Sequence, residues 1–272
     1  IVCLIVFSQR GPRTEVFTNK RTTPQIPPVR TEDVSFLAMG DIMLSRNVAG
    51  RIARNHKDGN WPFAQLSDLL GSASFNFANL ESPYSGEDNY PTTESLVFNS
   101  PSWTLTGLVH NNFKVLNLAN NHALDQGTAG LIYTKKLLEN NNITPVGVGA
   151  TLDEAWQGKV YESQGIRIGF IGASYSSIND NGQSRNNFVA RIDDVPRLKA
   201  SIAELKSRSD FIIVTMHAGI EYTRAPDDNQ VMFAHTAIDS GADIVIGAHP
   251  HWIQTTEIYK GKPIYYSLGN FI

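Results

Sequence analysis

Carboxylate, amide and imidazole side chains follow five short apolar runs of this 272-residue sequence. In chain order they are Asp41, Glu81, Asn121 with His122, His217, and His249 with His251. Oxygen ligands suit hard divalent cations, whereas imidazole suits zinc, iron, manganese and similar metals. The mixed set therefore predicts a site for one or two divalent transition-metal ions (Mn, Fe or Zn) rather than for calcium. Two ions about 3.5–4 Å apart that share one carboxylate can activate water and bind a phosphoryl oxygen, and Glu81 is the candidate for the shared ligand.

Each residue alone also has a purely structural interpretation. A single Asp after a strand is commonly a turn former or a helix cap, and His217 alone could be a hydrogen-bonded core histidine. His249 and His251 flank a proline, so in an extended segment both side chains would project to one side. The other three histidines are interpreted as surface, loop or helix-face residues: His56, His110 and His235. The joint pattern favours a metal site.

The apolar runs have the length of buried strands. Five precede the polar groups, at residues 36–39, 75–78, 115–118, 211–215 and 243–246, and two more cover residues 166–171 and 264–266. Several are unbroken rather than alternating, which is typical of strands covered on both faces. Functional sites of open α/β sheets assemble at the carboxyl ends of strands, so we expect the polar groups to converge there.

Amphipathic stretches between these runs predict helices. Apolar side chains between residues 195 and 205 recur at helical spacing, and a second helix over residues 228–240 would end at Gly241, a suitable cap residue. A third helix is predicted after Gly127, and Pro62 suits the first turn of a fourth. Alternating strands and helices predict a layered α/β domain.

Composition excludes several classes of site and partner. A formal net charge of -3 gives no overall basic field, so we expect no nucleic-acid partner. The single cysteine, Cys3, excludes an internal disulfide framework and a cysteine-based zinc site. Metal ligands must therefore be His, Asp, Glu or Asn.

The first 32 residues differ in composition from the rest. Residues 1–7 are apolar but too few to span a bilayer, which takes about 20 apolar residues, and we interpret them as the end of a signal or anchor segment. An isolated strand is the alternative, and the basic residues that follow argue against translocation. The polar, proline-containing remainder, up to residue 32, is expected to form a linker. The domain itself would cover residues 33–272 and be truncated at its C-terminus.

Six segments in chain order resemble the CapA (PgsA-like) poly-γ-glutamate capsule biosynthesis family. They are residues 40–44 (GDIML), 79–83 (NLESP), 117–125 (NLANNHALD), 217–222 (HAGIEY), 247–251 (GAHPH) and 261–271 (GKPIYYSLGNF). That family is similar in turn to the calcineurin-like metallophosphoesterases. The resemblance implies a four-layer α/β/β/α sandwich with a two-metal site.

The resemblance also implies a role for each candidate residue. The ligands it implies are Asp41 and His251 for the first ion, Asn121, His217 and His249 for the second, and Glu81 for both. His122 matches the histidine that contacts the scissile group and can protonate a leaving oxygen, a transfer that imidazole suits because it titrates near neutral pH. Asp125 would orient His122, with a loop cap as the alternative, and Glu221 is a candidate substrate-binding residue.

Two positions depart from the phosphoesterase pattern. Met43 stands where those enzymes usually have a histidine ligand, and a thioether is a poor ligand for hard or borderline cations. Glu81 replaces the usual Asp, and its extra methylene would move the bridging oxygens. The first metal site is therefore expected to be weak, differently filled or empty.

Three hypotheses follow for function. The first is an extracytoplasmic, membrane-anchored component of poly-γ-glutamate capsule synthesis or export, attached through a segment N-terminal to residue 8. Its hydrolase domain would act on a phosphoester or on the anionic polymer, beside membrane-bound partners. The second is a non-catalytic, polymer-binding scaffold of an export complex, which Met43 favours. The third is a soluble metallophosphodiesterase unrelated to capsule.

Overall fold

The computed structural model describes residues 3–7, 33–175 and 186–272, with only the backbone for residues 3–7. Its strands are β1 (Cys3–Phe7), β2 (Val34–Ile42), β3 (Phe75–Leu80), β4 (Phe113–Asn117), β5 (Thr144–Val146), β6 (Lys159–Ser163), β7 (Ile166–Ser174), β8 (Phe211–His217), β9 (Ile244–Ala248), β10 (Thr256–Tyr259) and β11 (Lys262–Tyr265). Its helices are α1 (Arg46–Arg54), α2 (Ser67–Leu70), α3 (Leu105–His110), α4 (Gly127–Asn140), α5 (Leu152–Trp156), α6 (Val195–Leu205) and α7 (Asp228–Ser240), with 3₁₀ helices at Trp61–Leu66 and Ser102–Thr104. The predicted linker, residues 8–32, lies outside the described residues.

The strands form two sheets that are mainly parallel. One sheet has the order β1-β2-β3-β4-β5, and the other has the order β10-β11-β9-β8-β7-β6. The antiparallel strands β1, β6 and β10 lie at sheet edges. All seven apolar runs form strands, as predicted. The strands that the sequence did not predict, β5, β6 and β10, are short, and the last two are partly exposed and lack an apolar run.

Three clusters of buried apolar side chains separate the layers. One lies between the two sheets, where the rings of Phe77 and Phe170 stack at 5.8 Å. A second joins the outer face of the first sheet to α1, α3 and α4, and a third joins the outer face of the second sheet to α6 and α7. The layer order is therefore α/β/β/α, which confirms the predicted four-layer sandwich.

The predicted helices begin and end where their capping residues indicate. The Asp227 side chain caps α7 together with Gln230, and Gly241 ends it in the left-handed conformation at φ 116°. The Asp194 side chain accepts the backbone N–H of Arg197 at the start of α6. Pro62 is the second residue of a 3₁₀ helix rather than part of the first turn of an α-helix, as predicted, and α2 follows this 3₁₀ helix directly.

The apolar segment at the start of the sequence contributes an edge strand. In β1 the backbone pairs antiparallel with β2, from Cys3 opposite Ala38 to Phe7 opposite Val34. This pairing corresponds to the strand alternative, and the signal or anchor interpretation stays a prediction. No helix among the described residues combines the length and apolar character needed to cross a membrane.

The end of β2 lies against the last residues of the chain. The Asp41 N–H donates to the Gly269 carbonyl at 3.0 Å, and the Phe271 N–H donates to the Asp41 carbonyl at 2.8 Å. Gly40 permits this approach, because a Cβ there would lie 1.8 Å from the Gly269 carbonyl oxygen. The contact aligns Asn270 with Asp41 as an additional parallel bridge.

We expect Gly40→Ala to lower the free energy of unfolding by about 1–3 kcal/mol, because the methyl group would push the two backbones apart. Urea denaturation measures the change. The control is Gly50→Ala in α1, where a Cβ makes only ordinary contacts and alanine favours the helix. An unchanged free energy of unfolding in Gly40→Ala would show that this contact is not tight.

Candidate metal centre

The structure brings the predicted ligands together in two groups that share one residue. Glu81, His217 and His249 form one group, and Asp41, Glu81 and His251 form the other. Within each group the ligand atoms lie within 4.8 Å of one another. The shared residue is Glu81, and the division between the groups is the one that the family resemblance implied.

Strand ends position these side chains. Asp41 is near the end of β2, Glu81 directly follows β3, and His217 is the last residue of β8. The Glu81 N–H donates to the Ile42 carbonyl at 2.9 Å, which fixes the chain as it leaves the sheet. His249 directly follows β9, and its N–H donates to Asp41 Oδ2 at 3.2 Å. The two sheets therefore meet at the site.

The group around His217 includes the predicted amide ligand. His217 Nε2 lies 2.8 Å from Asn121 Oδ1 and 3.5 Å from Glu81 Oε1. The His249 ring lies 4.7 Å from the His217 ring, centroid to centroid. The Tyr175 ring packs on His249, with 4.6 Å between the two ring centroids. Tyr175 is not among the residues predicted from the sequence.

The second group is more open. His251 Nδ1 lies 3.4 Å from Asp41 Oδ2 and 4.0 Å from Glu81 Oε2. The same nitrogen lies 2.8 Å from Asn270 Oδ1, on the segment that docks against β2. His251 is half-buried, whereas Asp41 and Glu81 are fully buried.

The backbone around Pro250 is not extended, contrary to the sequence-based expectation. His249 and His251 have φ values of 101° and 58°, both in the left-handed region. Their rings nevertheless lie 5.9 Å apart, centroid to centroid. The two histidines converge because a bend turns the chain back, and not because alternate residues of a strand share a face.

Burial dominates the electrostatics of the site. It raises the pKa of Glu81 well above its usual value, and the negative charge of Asp41 acts in the same direction. It lowers the pKa of His217 well below its usual value and that of His249 to about 4. For His251 burial also acts to lower the pKa, but the hydrogen bond and charge of Asp41 raise it above its usual value.

Two potential ligand atoms are buried without a hydrogen-bond partner among the described residues, Glu81 Oε1 and His249 Nδ1. Buried polar atoms are normally paired, because an unpaired one loses its hydration without compensation. The lowered pKa values of His217 and His249 favour the neutral imidazoles that bind a divalent cation, whereas the raised pKa of Glu81 means that a bound cation would displace its proton. The residues present therefore fit a divalent transition metal.

A network of buried asparagines orients the ligands. Asn79 Oδ1 accepts hydrogen bonds from Asn117 Nδ2 at 2.8 Å and Asn120 Nδ2 at 3.4 Å. Its amino group consequently faces Asp41 Oδ1 at 2.8 Å and His217 Nδ1 at 3.1 Å. Asn79 thus connects one ligand of each group. It is not among the predicted site residues, because inside a strand an asparagine carries no spacing signal.

The predicted proton donor is tied to its predicted partner. His122 Nδ1 lies 2.8 Å from Asp125 Oδ2, which also accepts the Phe98 N–H at 2.6 Å. Asp125 therefore both orients the histidine and fixes a loop, the two alternatives from the sequence. The Phe98 ring stacks on the His122 ring at 3.9 Å. Because Nδ1 faces Asp125, Nε2 is the nitrogen of His122 that remains for a substrate.

A cavity of about 310 Å³ opens beside the more exposed group, at Glu81 and His251. Its lining includes Glu81, His122 and His251, together with Met43 and Arg46. The Met43 sulfur accepts the Ser45 N–H at 3.3 Å. Glu221 is exposed and belongs to neither ligand group. Its negative charge acts in the same direction as that of Asp41 on the pKa values of Glu81 and His251, but contributes less.

Comparison with known proteins assigns the chain to a family. The family model described as "Bacterial capsule synthesis protein PGA_cap" matches residues 35–272. The chain belongs to this family. It is 30% identical over 259 residues to the "PGA biosynthesis protein CapA" of Bacillus subtilis (strain 168), covering 94% of the chain and 68% of that relative.

Two further similarities extend this picture. The chain is 29% identical over 264 residues to the "Capsule biosynthesis protein CapA" of Bacillus anthracis, and the match covers 92% of the chain and 63% of that relative. A solved structure described as a 5′-nucleotidase from Staphylococcus aureus matches 85% of the chain and 47% of its own, with a TM-score of 0.50 at 16% identity. The latter likeness concerns the fold alone. The predicted family is confirmed, and the individual site roles stay predictions.

We expect Asn79→Leu to weaken metal binding roughly 10–100-fold, because residues that orient ligands contribute this much to affinity. Isothermal titration calorimetry with Mn²⁺ measures the change. The control is Asn76→Leu on the same strand, since the Asn76 amide donates only to the Leu70 and Asn111 carbonyls. Equal losses of affinity in both variants would mean that Asn79 acts only through the stability of β3.

Proposed function

We propose that the protein is a divalent-metal-dependent hydrolase of poly-γ-glutamate capsule synthesis, acting on a phosphoester or on the anionic polymer. The observation that carries the proposal is the pair of ligand groups joined by Glu81, with Glu81 Oε1 and His249 Nδ1 buried without a hydrogen-bond partner among the described residues. Membership of the capsule synthesis family supports the biological role.

The ligand groups define which residues would bind metal. Glu81, His217 and His249, with Asn121 beside them, would bind one cation, and Asp41, Glu81 and His251 would bind a second. Bound there, such ions would supply Lewis-acid stabilisation of a developing oxyanion and lower the pKa of a water molecule. Asn79 donates to Asp41 Oδ1 and would hold that carboxylate in place for this task.

The proton required by a leaving oxygen would come from His122. Asp125 accepts from Nδ1 and so fixes the tautomer that carries the reactive position on Nε2. The stacked Phe98 ring restricts the rotation of the imidazole and shields one face of it from water. A histidine fixed in this way contributes about 10²–10⁴-fold to a rate.

The proposal also concerns location and partners. The domain would act outside the cytoplasm, tethered through a segment N-terminal to residue 8, beside membrane-bound components of capsule synthesis or export. The apolar composition of residues 1–7 supports this part, although residues 3–7 also pair with β2 as an edge strand of the domain.

We expect the purified protein to retain one or two Mn²⁺ ions per chain after reconstitution, measured by plasma mass spectrometry, and to hydrolyse bis-p-nitrophenyl phosphate. Asn121→Ala and His249→Ala should lose bound metal and hydrolysis together, because both remove ligands. His235→Ala is the control, since this histidine pairs with Glu257 of β10 and belongs to neither ligand group. If the reconstituted protein binds no transition metal, the proposal is refuted.

A second candidate function is a polymer-binding scaffold without turnover, and Met43 favours it. The Met43 side chain lines the cavity where a further ligand to the first ion would lie, and its sulfur accepts a backbone N–H. Family membership gives no support to the third hypothesis, a phosphodiesterase unrelated to capsule.

We expect Met43→His to tighten binding of the second equivalent of Mn²⁺ about tenfold or more, because imidazole replaces a poor ligand. Diester hydrolysis is measured in parallel, with Met232→His on the exposed face of α7 as the control. An inactive parent that gains hydrolysis with Met43→His would favour the scaffold, whereas an active parent favours the hydrolase.

A further inference from the structure

A cation that the sequence analysis did not assign lines the cavity at Glu81 and His251. Arg46 is the first residue of α1 and shares the cavity wall with Glu81, His122 and His251. Its guanidinium carbon lies 4.6 Å from the centroid of the Phe98 ring, the same ring that stacks on His122 at 3.9 Å. The Phe98 ring therefore contacts both the guanidinium and the predicted proton donor, and both residues line the same cavity.

One end of the guanidinium is fixed by the loop that carries Phe98. Nη1 donates to the carbonyl oxygens of Thr93 and Ser95, each at 3.1 Å. These two bonds use both hydrogens of Nη1. Together with the Phe98 ring they hold the plane of the guanidinium in one orientation.

The other edge of the guanidinium has no acceptor. Nε is buried and has no hydrogen-bond partner among the described residues, and Arg46 forms no ion pair with any of them. Nε and Nη2 present parallel N–H bonds along one edge, which matches two oxygens of a carboxylate or a phosphoryl group. A fixed guanidinium whose Nε and Nη2 edge has no acceptor among the described residues can bind an anionic ligand there.

The backbone supports the same interpretation. Arg46 has φ 47°, in the left-handed region that residues with long side chains rarely adopt. Such conformations cost free energy and recur at ligand sites. The surrounding chain thus maintains an unfavourable backbone conformation at the residue that brings positive charge to the cavity.

We propose that Arg46 forms an anion-binding subsite, in which the Nε and Nη2 edge binds an oxyanion of the substrate next to the group that His122 protonates. The ligand is a carboxylate or phosphoryl group, the shared chemistry of a γ-linked glutamate chain and a phosphoester. The inference rests on the proposed function for the identity of the neighbouring reaction, but binding by Arg46 does not require turnover.

The test titrates two anions, inorganic phosphate and a γ-linked glutamate tripeptide, into the protein labelled with [¹⁵N]arginine. The Arg46 Nε–H resonance is assigned by its absence in Arg46→Lys. We expect it to shift on addition of at least one anion, and the anion that shifts it identifies the source of the oxyanion. This measurement uses the parent protein and so does not depend on the folding of a variant.

Calorimetry supplies the matched comparison. Arg46→Lys keeps the charge but loses the paired N–H donors of the planar guanidinium, so we expect binding of the same anion to weaken about tenfold to a hundredfold. The metal content of this variant should equal that of the parent. Arg51→Lys, an exposed position on the same helix, should bind like the parent. An Arg46 resonance that neither anion moves, or unchanged affinity in Arg46→Lys, would overturn the proposal.

The two proposals fail in different ways. Anion binding that depends on Arg46 in protein that retains no metal and hydrolyses nothing would support the subsite and refute the hydrolase. Metal-dependent hydrolysis whose KM is the same in the parent and in Arg46→Lys would support the hydrolase and refute the subsite.

Discussion

The organisation of this protein depends on two buried carboxylates that no lysine or arginine of the described chain neutralises in an ion pair. Among the described residues, the basic nitrogens within 4 Å of the Asp41 and Glu81 carboxylates all belong to histidines. Negative charge removed from water at this density is unfavourable unless a cation compensates it. The fold tolerates the arrangement because two sheets and their helices enclose it rigidly. A divalent ion is the compensation that this donor set fits.

Neutral amides, rather than charged residues, hold these carboxylates in place. Asn79 donates to Asp41 and also faces His217, and Asn117 fixes the orientation of Asn79. A lysine at the position of Asn79 would pair with Asp41 equally well but would cancel the charge that attracts a metal. Amides satisfy the hydrogen bonds and leave the charge intact. Arg46, which lines the cavity at Glu81 and His251, is held by backbone carbonyls and an aromatic ring instead of by the carboxylates.

The sequence predicted the parts of the site that depend on strand ends. Asp41, Glu81 and His217 were predictable because an apolar run precedes each one, and parallel strands bring such positions to one edge. Asn79 was not, since a buried asparagine within a strand resembles any other strand residue until its partners are known. Arg46 was missed because its significance depends on a loop about fifty residues away.

The short partly exposed strands and the bend at Pro250 were missed for a related reason, because tertiary contacts and not local periodicity determine them. The same limit applies to the segment that docks on β2.

The segment that docks on β2 also has a consequence for how the molecule folds. His249 and Asp41, which share a hydrogen bond, are 208 positions apart in sequence, and Asn270 contacts His251 from the last residues of the chain. Contacts between such distant positions form slowly, after a large loss of chain entropy. During synthesis the two carboxylates emerge long before the histidines that complete their groups, so a nascent chain has no preformed cage with which to capture a metal ion.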